Sequence, residues 1–300
     1  MQQLNHNIMM NMVAQTSIHA GAGQALSIID LPIQRESHTQ FPVIFGSSLK
    51  GALRFRASQV LSDNKTLVNV FGADSQSEDT FAGALMISDA KLLLLPIRSL
   101  NGYFKWVTCP ALLRRYANDC ERAGLKNDVL SQLTLTIEQQ DVVVIENKTE
   151  TLFLEEFALT VKNDNQITAL ATLLARNFNL AETALTEQLA IVNDDMFSYL
   201  AQNSTPVNAH IALDENKTVK KGALWYEETL PSETVMYSLI SCTSSRGKKE
   251  EKLEAQAVAN VLTEKVLPTT NRYLQVGGNE TVGMGWFAIE FNQSNNEQGA

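Results

Sequence analysis

The order of hydrophobic and polar residues predicts strands at both ends of the chain and at several points between them. Residues 6–14 alternate loosely and end shortly before a glycine-broken turn, which is typical of a first strand. Residues 83–95 predict a second strand that stops at Pro96, and its tail, residues 92–95, is apolar without alternation, as in a strand buried on both faces. Further short strands are predicted at residues 102–107, 141–145, 151–161, 210–213, 222–227, 234–240, 273–276 and 286–291.

Short polar segments between neighbouring strands favour hairpins. Residues 141–145 and 151–161 are therefore predicted to pair with each other, and residues 210–213 and 222–227 to form a hairpin around the polar run 214–221.

Helices are predicted where the apolar residues are spaced for one helix face, at residues 47–62, 112–123, 167–189, 196–200 and 253–266. Pro110 suits the start of the second of these, and residues 64–82 are polar and turn-rich, which predicts a surface loop. Because strands and helices are interspersed and several strands form hairpins, the pattern favours an α+β fold over a doubly wound parallel sheet.

Length and composition indicate a globular protein. The 300 residues are 44% hydrophobic and 19% charged, enough to bury a sizeable core in one large or two smaller domains. No apolar run reaches the roughly 18–20 residues of a membrane span, and no basic segment precedes the apolar residues 8–14 as in a signal peptide. The three cysteines are too scattered for a disulfide framework or a zinc site. We therefore expect a cytoplasmic protein with no membrane partner.

The charge balance argues against a nucleic-acid binder that works alone, because the formal net charge is −9. Residues 1–60 differ from the rest, since four arginines and lysines there oppose two acidic residues. A basic face on an acidic body suits a subunit that shares a nucleic acid with partner subunits.

A candidate anion site lies where the first helix begins. Ser47 or Ser48 is predicted to cap this helix, and free backbone N–H groups at a helix start bind phosphate. Lys50 and Arg54 follow four residues apart on one helix face, where they either add positive charge to that site or form a solvated surface.

A second candidate site is the loop at residues 277–285, which contains four glycines between two predicted strands. Glycines let a backbone approach a ligand closely, although a flexible hairpin turn has the same composition. The loop contains neither a Walker A motif nor a Rossmann fingerprint.

Candidate chemistry lies in the irregular stretch that follows the first strand. Asp30 is either a turn-capping aspartate or a carboxylate that binds Mg²⁺ or orients an attacking hydroxyl. His19 and His38 could form a general acid–base pair, or His19 could be a positioning histidine beside the glycine turn.

This N-terminal stretch resembles a known family over several segments, namely residues 19–23 (HAGAG), 29–36 (IDLPIQRE), 38–39 (HT), 41–44 (FPVI) and 46–54 (GSSLKGALR). It is similar to the backbone subunits of type III-B CRISPR effector (Cmr) complexes, which are members of the RAMP superfamily. The resemblance continues in pieces to the C-terminus. Ala20 and Ala22 depart from the family pattern, which has Gly or Pro at the first position and a polar residue at the second.

The resemblance implies a single domain over residues 1–291, a modified ferredoxin-like (RRM-like) core with inserted hairpin and helical elements. The core would comprise residues 1–62, 83–108 and 234–291, with insertions at about 110–230, and residues 292–300 would form a polar tail.

The resemblance also implies a function: binding CRISPR RNA, oligomerising along it and cutting the paired target RNA. Asp30 stands where the family carries the residue needed for cutting, with Mg²⁺ or another divalent cation bound transiently with the RNA. The implied partners are CRISPR RNA, target RNA, copies of the chain itself and other Cmr subunits. The RNA-binding residues predicted from the patterns and the resemblance together are His19, Gly21, Gly23, Arg35, Ser47, Ser48, Lys50, Arg54, Gly277, Gly278, Gly283 and Gly285.

The hairpin at residues 210–227 would be an inserted element that wedges into the guide–target duplex, with Lys217, Lys220, Lys221 and Trp225 as contact residues. Aromatic residues at such positions also serve simple packing. Two alternatives stay open: a non-catalytic RNA-binding scaffold, and a stand-alone RAMP endoribonuclease that processes precursor CRISPR RNA with His19 and His38. A third, a metabolic enzyme whose glycine loop binds a phosphorylated small molecule, is more remote.

Overall fold

The computed structural model describes residues 5–25, 28–73, 81–146, 148–247 and 252–293. Its strands are β1 His6–Ala14, β2 Val43–Ile44, β3 Leu85–Ile87, β4 Ala90–Arg98, β5 Phe104–Thr108, β6 Asp141–Val144, β7 Thr151–Leu154, β8 Phe157–Asn163, β9 Leu189–Ile191, β10 Val207–Leu213, β11 Val219–Glu228, β12 Val235–Cys242, β13 Tyr273–Gln275 and β14 Trp286–Gln293. Its α-helices are α1 Gly46–Val60, α2 Asn64–Phe71, α3 Pro110–Arg122, α4 Asp128–Gln132, α5 Thr168–Phe178, α6 Glu182–Gln188, α7 Asp194–Asn203 and α8 Ala255–Asn260.

One large mixed sheet organises the described part of the chain. Its strands follow the order β13-β14-β1-β12-β4-β5-β9-β6-β8-β7, while β2 pairs with β4 and β3 with β12. The first strand lies between β12 and β14, antiparallel to both, so the two ends of the chain meet at one side of the sheet. Strands from the middle of the chain extend the other side, and β10 and β11 form a separate hairpin. This arrangement confirms the predicted α+β class.

The first strand is buried on both faces, which explains its loose alternation. Ile8, Met10 and Met12 belong to a core on one side of the sheet together with residues of α1. Met9 and Val13 belong to a second core on the other side, which α3 and α5 cover. Residues 92–95 of β4 are likewise fully buried, as predicted.

Pro96 does not end its strand, contrary to the sequence-based expectation. Strand β4 continues to Arg98, and Pro96 pairs with Trp106 of β5. On the other side of β4 the pairing with β12 ends at Leu94. The missing N–H of proline is tolerated here because β4 has a strand partner on only one side at this point.

Two segments predicted as single elements are divided by residues in the left-handed region. The predicted strand 151–161 is the hairpin β7–β8 with Glu155 at φ 48°, and β8 pairs with β6 in parallel. The predicted helix 167–189 breaks at Asn179, φ 52°, into α5 and α6 and ends in β9. Neither break falls at a glycine or a proline, so residue type did not signal either of them.

The predicted surface loop 64–82 is wrong over its first part, which forms α2. Asp63 caps this helix by accepting hydrogen bonds from the N–H groups of Lys65 and Thr66. The predicted helix 253–266 starts at Ala255 and continues as a π-helix over Val261–Val266. Residues 74–80 and most of the predicted tail, 294–300, lie outside the described residues, and β14 includes positions 292 and 293.

The three cysteines, Cys109, Cys120 and Cys242, are free and buried. None of the helices within the described ranges has the length and hydropathy that a membrane crossing needs.

Candidate functional site

The end of β11 brings the N-terminal stretch and the hairpin together. The N–H of Tyr226 donates to Oδ2 of Asp30 at 2.8 Å. The N–H of Leu31 donates to the carbonyl of Tyr226, and the N–H of Glu228 donates to the carbonyl of Leu31, so the chain around Asp30 runs alongside β11. We call residues 226–228 the junction segment.

Asp30 lines a cavity that lies between the stretch around Asp30 and the β10–β11 hairpin. The cavity has a volume of about 730 Å³, within the usual range for ligand sites. Its wall includes the ring of Trp225, which stacks on His210 with centroids 5.6 Å apart and planes at 15°. The residues that line it are Gln24, Ala25, Asp30, Leu31, Gly222, Leu224 and Trp225.

His19 is buried against the junction segment and both glycine loops. Its Nδ1 lies 2.8 Å from the carbonyl oxygen of Glu228, and because a carbonyl only accepts, Nδ1 carries a proton. The N–H of Gly278 donates to the His19 carbonyl at 2.9 Å, and a side chain at Gly21 would stand 2.7 Å from Nε2. Two glycine segments more than 250 residues apart in sequence thus meet around one histidine.

The positive-φ glycines of the two glycine segments are of two kinds. A Cβ at Gly277 would overlap the His19 carbonyl, and one at Gly285 would stand 2.6 Å from the Val276 carbonyl, so these two serve close packing. Gly23 and Gly283 also have positive φ, yet nothing lies within 4 Å of where their Cβ would be. Positive φ favours glycine at these two positions, and the surrounding space is open. The backbone there is therefore available for close contact with a ligand.

The predicted cap of the first helix is wrong. Helix α1 begins at Gly46, with Phe45 as the flanking residue and no side-chain cap, and Ser47 and Ser48 lie inside its first turn. Instead, Oδ1 of Asp89 accepts the Gly46 N–H at 2.7 Å. This carboxylate already partly neutralises the positive helix end, which disfavours a phosphate directly at that position.

Lys50 and Arg54 of α1 form a basic cluster together with Arg246. Lys50 donates to the Leu85 carbonyl at 3.0 Å and Arg54 to the Gly72 carbonyl at 2.6 Å. Burial, with the nearby charges of Arg54 and Arg246, lowers the pKa of Lys50. Three cations therefore gather beside α1, and contact of Lys50 and Arg54 with RNA stays a prediction.

Arg35, predicted to bind RNA, is engaged within the protein. Its guanidinium pairs with the carboxylate of Glu228 at 2.5 Å and also donates to the carbonyls of Gln40 and Ala201 and to Oγ1 of Thr205. The structure gives Arg35 a role in holding the fold, and its contact with RNA stays a prediction.

The hairpin prediction is confirmed, with a shorter turn than expected. Lys217 lies in the turn at φ 59°, whereas Lys220 and Lys221 lie in β11 and not in the loop. The three lysines are exposed, and so are large apolar side chains on both strands. The apolar ones are Val207, Ile211, Leu213, Val219, Leu224 and Tyr226. An element of this kind presents both charge and apolar surface to a partner.

His38 is exposed, whereas His19 is buried, and within the described ranges no hydrogen bond joins the two rings. The described residues also contain no group of three or more His, Cys, Asp or Glu side chains placed to hold a metal ion. A resident metal centre therefore has no support in this part of the chain.

Several residues of the site were missed from sequence. Glu227 and Glu228 are buried, and Oε1 of Glu227 accepts from Asn279 of the glycine loop at 2.6 Å. Two adjacent glutamates at the end of a predicted strand were a visible feature, but their partners lie far away in sequence and could not be named.

Comparison with known proteins shows the family of the chain. The family model of the RAMP superfamily matches residues 11–288. The chain is 37% identical over 292 residues to the CRISPR system Cmr endoribonuclease Cmr4 of Pyrococcus furiosus, with 95% of each chain covered. It is 25% identical over 298 residues to the CRISPR system CMR subunit Cmr4 of Saccharolobus solfataricus, covering 91% of this chain and 92% of the relative.

A solved structure of a relative is also similar to this chain. The crystal structure of oligomeric Cmr4 from Pyrococcus furiosus superimposes with a TM-score of 0.73 at 31% identity, over 97% of this chain and 99% of that one. With a family match and a relative that both span nearly all of its length, the chain belongs to the RAMP superfamily.

Proposed function

We propose that this chain is a backbone subunit of a type III-B CRISPR effector complex, which binds CRISPR RNA and cuts the paired target RNA at Asp30. The observation that carries the proposal is the placement of Asp30. Its carboxylate is held by the Tyr226 N–H at the wall of a cavity that lies between the stretch around Asp30 and the hairpin. The Pyrococcus relative, 37% identical, is named an endoribonuclease.

The proposed reaction is attack of a ribose 2′-oxygen on its adjacent phosphorus, which forms a 2′,3′-cyclic phosphate and breaks the bond to the 5′-oxygen of the next nucleotide. The 2′-hydroxyl loses its proton to water, and the departing 5′-oxygen gains one from water. One carboxylate supplies little catalytic equipment, so the protein must hold the RNA backbone bent into an in-line geometry. The stacked Trp225 and His210, beside exposed apolar side chains of the hairpin, offer a surface against which a displaced base could stack.

A divalent cation fits Asp30 only as an ion held mainly by the RNA. Mg²⁺ is commonly bound by one or two carboxylates together with substrate phosphates and water, and Asp30 is half-buried beside open space. When bound, such an ion would stabilise negative charge on the reacting phosphate. Asp30 would orient that ion, and the Tyr226 N–H would hold Asp30.

Assembly with further copies of the chain and with other Cmr subunits is part of the proposal. The Pyrococcus relative was crystallised as oligomeric Cmr4, and the Saccharolobus relative is named a CMR subunit. Contacts between different surfaces of successive copies generate an open filament, which suits a linear guide RNA. A net charge of −9 also suits a subunit that binds RNA in company rather than alone.

The test is to assemble the chain with its partners on a guide RNA and to add complementary target RNA with Mg²⁺ or with EDTA. We expect cutting at regular intervals with Mg²⁺ and none with EDTA. Cutting that persists in EDTA would contradict the metal-dependent reaction and favour an acid–base pair that uses His19.

Replacing Lys50 and Arg54 together with Ala should weaken guide-RNA binding equally for all sequences. Each lost phosphate contact should lower the slope of log affinity against log salt by about 0.7–1. The measurement is guide-RNA affinity over a series of salt concentrations, with the exposed Lys126→Ala variant as control. An unchanged slope would show that the cluster beside α1 does not contact RNA.

A further inference from the structure

Glu228 has a buried carboxylate that gathers donors from separate parts of the chain. Its side chain is 4% exposed. Oε1 accepts from Arg35 at 2.5 Å and from Oγ1 of Thr205 at 2.6 Å, and Oε2 accepts the N–H of Ile33 at 3.1 Å. A charge buried in this way is tolerated only when it is paired and hydrogen-bonded, so these contacts are mutually dependent.

The same residue also holds the segment next to Asp30 by its backbone. The N–H of Glu228 donates to the Leu31 carbonyl at 3.0 Å, and its carbonyl accepts from Nδ1 of His19. Positions one and three residues after Asp30, Leu31 and Ile33, are therefore both attached to Glu228. Its side chain is not part of the cavity wall, so Glu228 acts on the site through the stretch that carries Asp30.

We infer that Glu228 is a positioning residue: its buried carboxylate fastens the Asp30 stretch to the hairpin and to the segment after α7. The inference rests on the proposed function, and it adds that this side chain, together with the backbone bonds at Tyr226 and Glu228, keeps a fixed separation between RNA held at the hairpin and the carboxylate that cuts it. A displacement of about 1 Å can cost about 10²-fold in rate. Loss of the carboxylate should therefore lower cutting, while RNA binding at the exposed hairpin and the glycine loop persists.

The principal test compares Glu228→Gln with Asp119→Asn in the full chain assembled on guide RNA. Asp119 is a matched control because its carboxylate is also 4% exposed and pairs with a basic side chain, Lys91, at 2.6 Å. Both variants break a buried ion pair, and only one of the pairs holds the Asp30 stretch. We expect Glu228→Gln to lower the single-turnover cutting rate by about 10–10²-fold at unchanged target-RNA affinity, and Asp119→Asn to cut at the wild-type rate.

Hydrogen–deuterium exchange on the same variants without target RNA gives a readout that does not depend on activity. Amides in residues 28–35 should exchange faster in Glu228→Gln than in the wild type, because the contacts of the Glu228 carboxylate with Arg35 and Ile33 are weakened. Asp119→Asn should leave exchange in these residues unchanged. Glu228→Asp, which keeps the negative charge, should recover part of the cutting rate.

Thr205→Val provides a milder variant if Glu228→Gln does not fold. It removes one hydrogen bond from Oε1 and leaves the pair with Arg35. We expect a smaller loss of cutting and a smaller rise in exchange over residues 28–35. In that case a wild-type cutting rate together with unchanged exchange would overturn the inference.

Asp30→Asn, measured in parallel, separates the two proposals. If Asp30→Asn cuts normally, the proposed function fails whatever the result for Glu228. If Asp30→Asn is inactive while Glu228→Gln cuts at the wild-type rate, the positioning role alone is overturned. It is also overturned if Glu228→Gln and Asp119→Asn lose cutting and stability to the same extent, since that result indicates a purely structural carboxylate.

Discussion

Replacing Asp30 with Asn should lower the rate of target-RNA cutting by about 10²–10³, the usual loss for one transition-state electrostatic contact. Assembly on guide RNA and affinity for target RNA should stay close to wild-type values. The structure gives the reason for this separation: the Tyr226 N–H donates to Oδ2 of Asp30, and the carbonyl oxygen of Asn still accepts that bond, although more weakly than a carboxylate. The substitution thus removes negative charge without releasing the stretch.

The measurement is single-turnover cutting by the assembled complex, with target affinity determined separately. Asp128→Asn is the matched control, because Asp128 is an exposed aspartate in the short helix α4 that lines no part of the cavity. His38→Ala should have a mild effect, since this side chain is exposed. If Asp30→Asn cuts normally while His19→Ala or His38→Ala abolishes cutting, the acid–base alternative is correct.

Elements defined by local pattern were predictable from the sequence. The strand over residues 6–14 and the hairpin around residue 214 depend on alternation and on polar turns, which act over a few residues. Pro110 marked the start of α3 for the same local reason. The candidate residues Asp30 and His19 and the loop at residues 277–285 came from residue type and family resemblance, and the structure brings them all to the junction segment.

Features that depend on distant partners were not predictable. Ser47 and Ser48 have the right chemistry for a helix cap, but the turn between β3 and β4 places Asp89 at that position. Glu228 and Arg35 are separated by 193 residues, and no local pattern indicates that either charge is buried. Tertiary packing decides such pairings, and it gives Arg35 internal contacts that its residue type alone does not indicate.

The positive-φ glycines of the second loop provide the other large expected effect. Gly277→Ala and Gly283→Ala share one cost, since φ is +96° at Gly277 and +84° at Gly283, and left-handed backbone costs a residue with a side chain about 1–2 kcal/mol. They differ in surroundings, because a Cβ at Gly277 overlaps the His19 carbonyl whereas at Gly283 it meets nothing within 4 Å. Gly277→Ala should therefore lower the free energy of unfolding by a further amount of about 1–3 kcal/mol, the usual cost of overpacking.

Urea unfolding of the two variants measures this difference, and guide-RNA affinity measures what each glycine does for binding. We expect Gly283→Ala to lose only the shared backbone cost in stability, and to lose RNA affinity because the added methyl group occupies space that a bound backbone would use. Gly277→Ala should lose both, since it displaces His19 and with it the hydrogen bond to Glu228. Equal stability losses would contradict the steric distinction, and wild-type RNA affinity in Gly283→Ala would show that RNA does not approach the loop at that point.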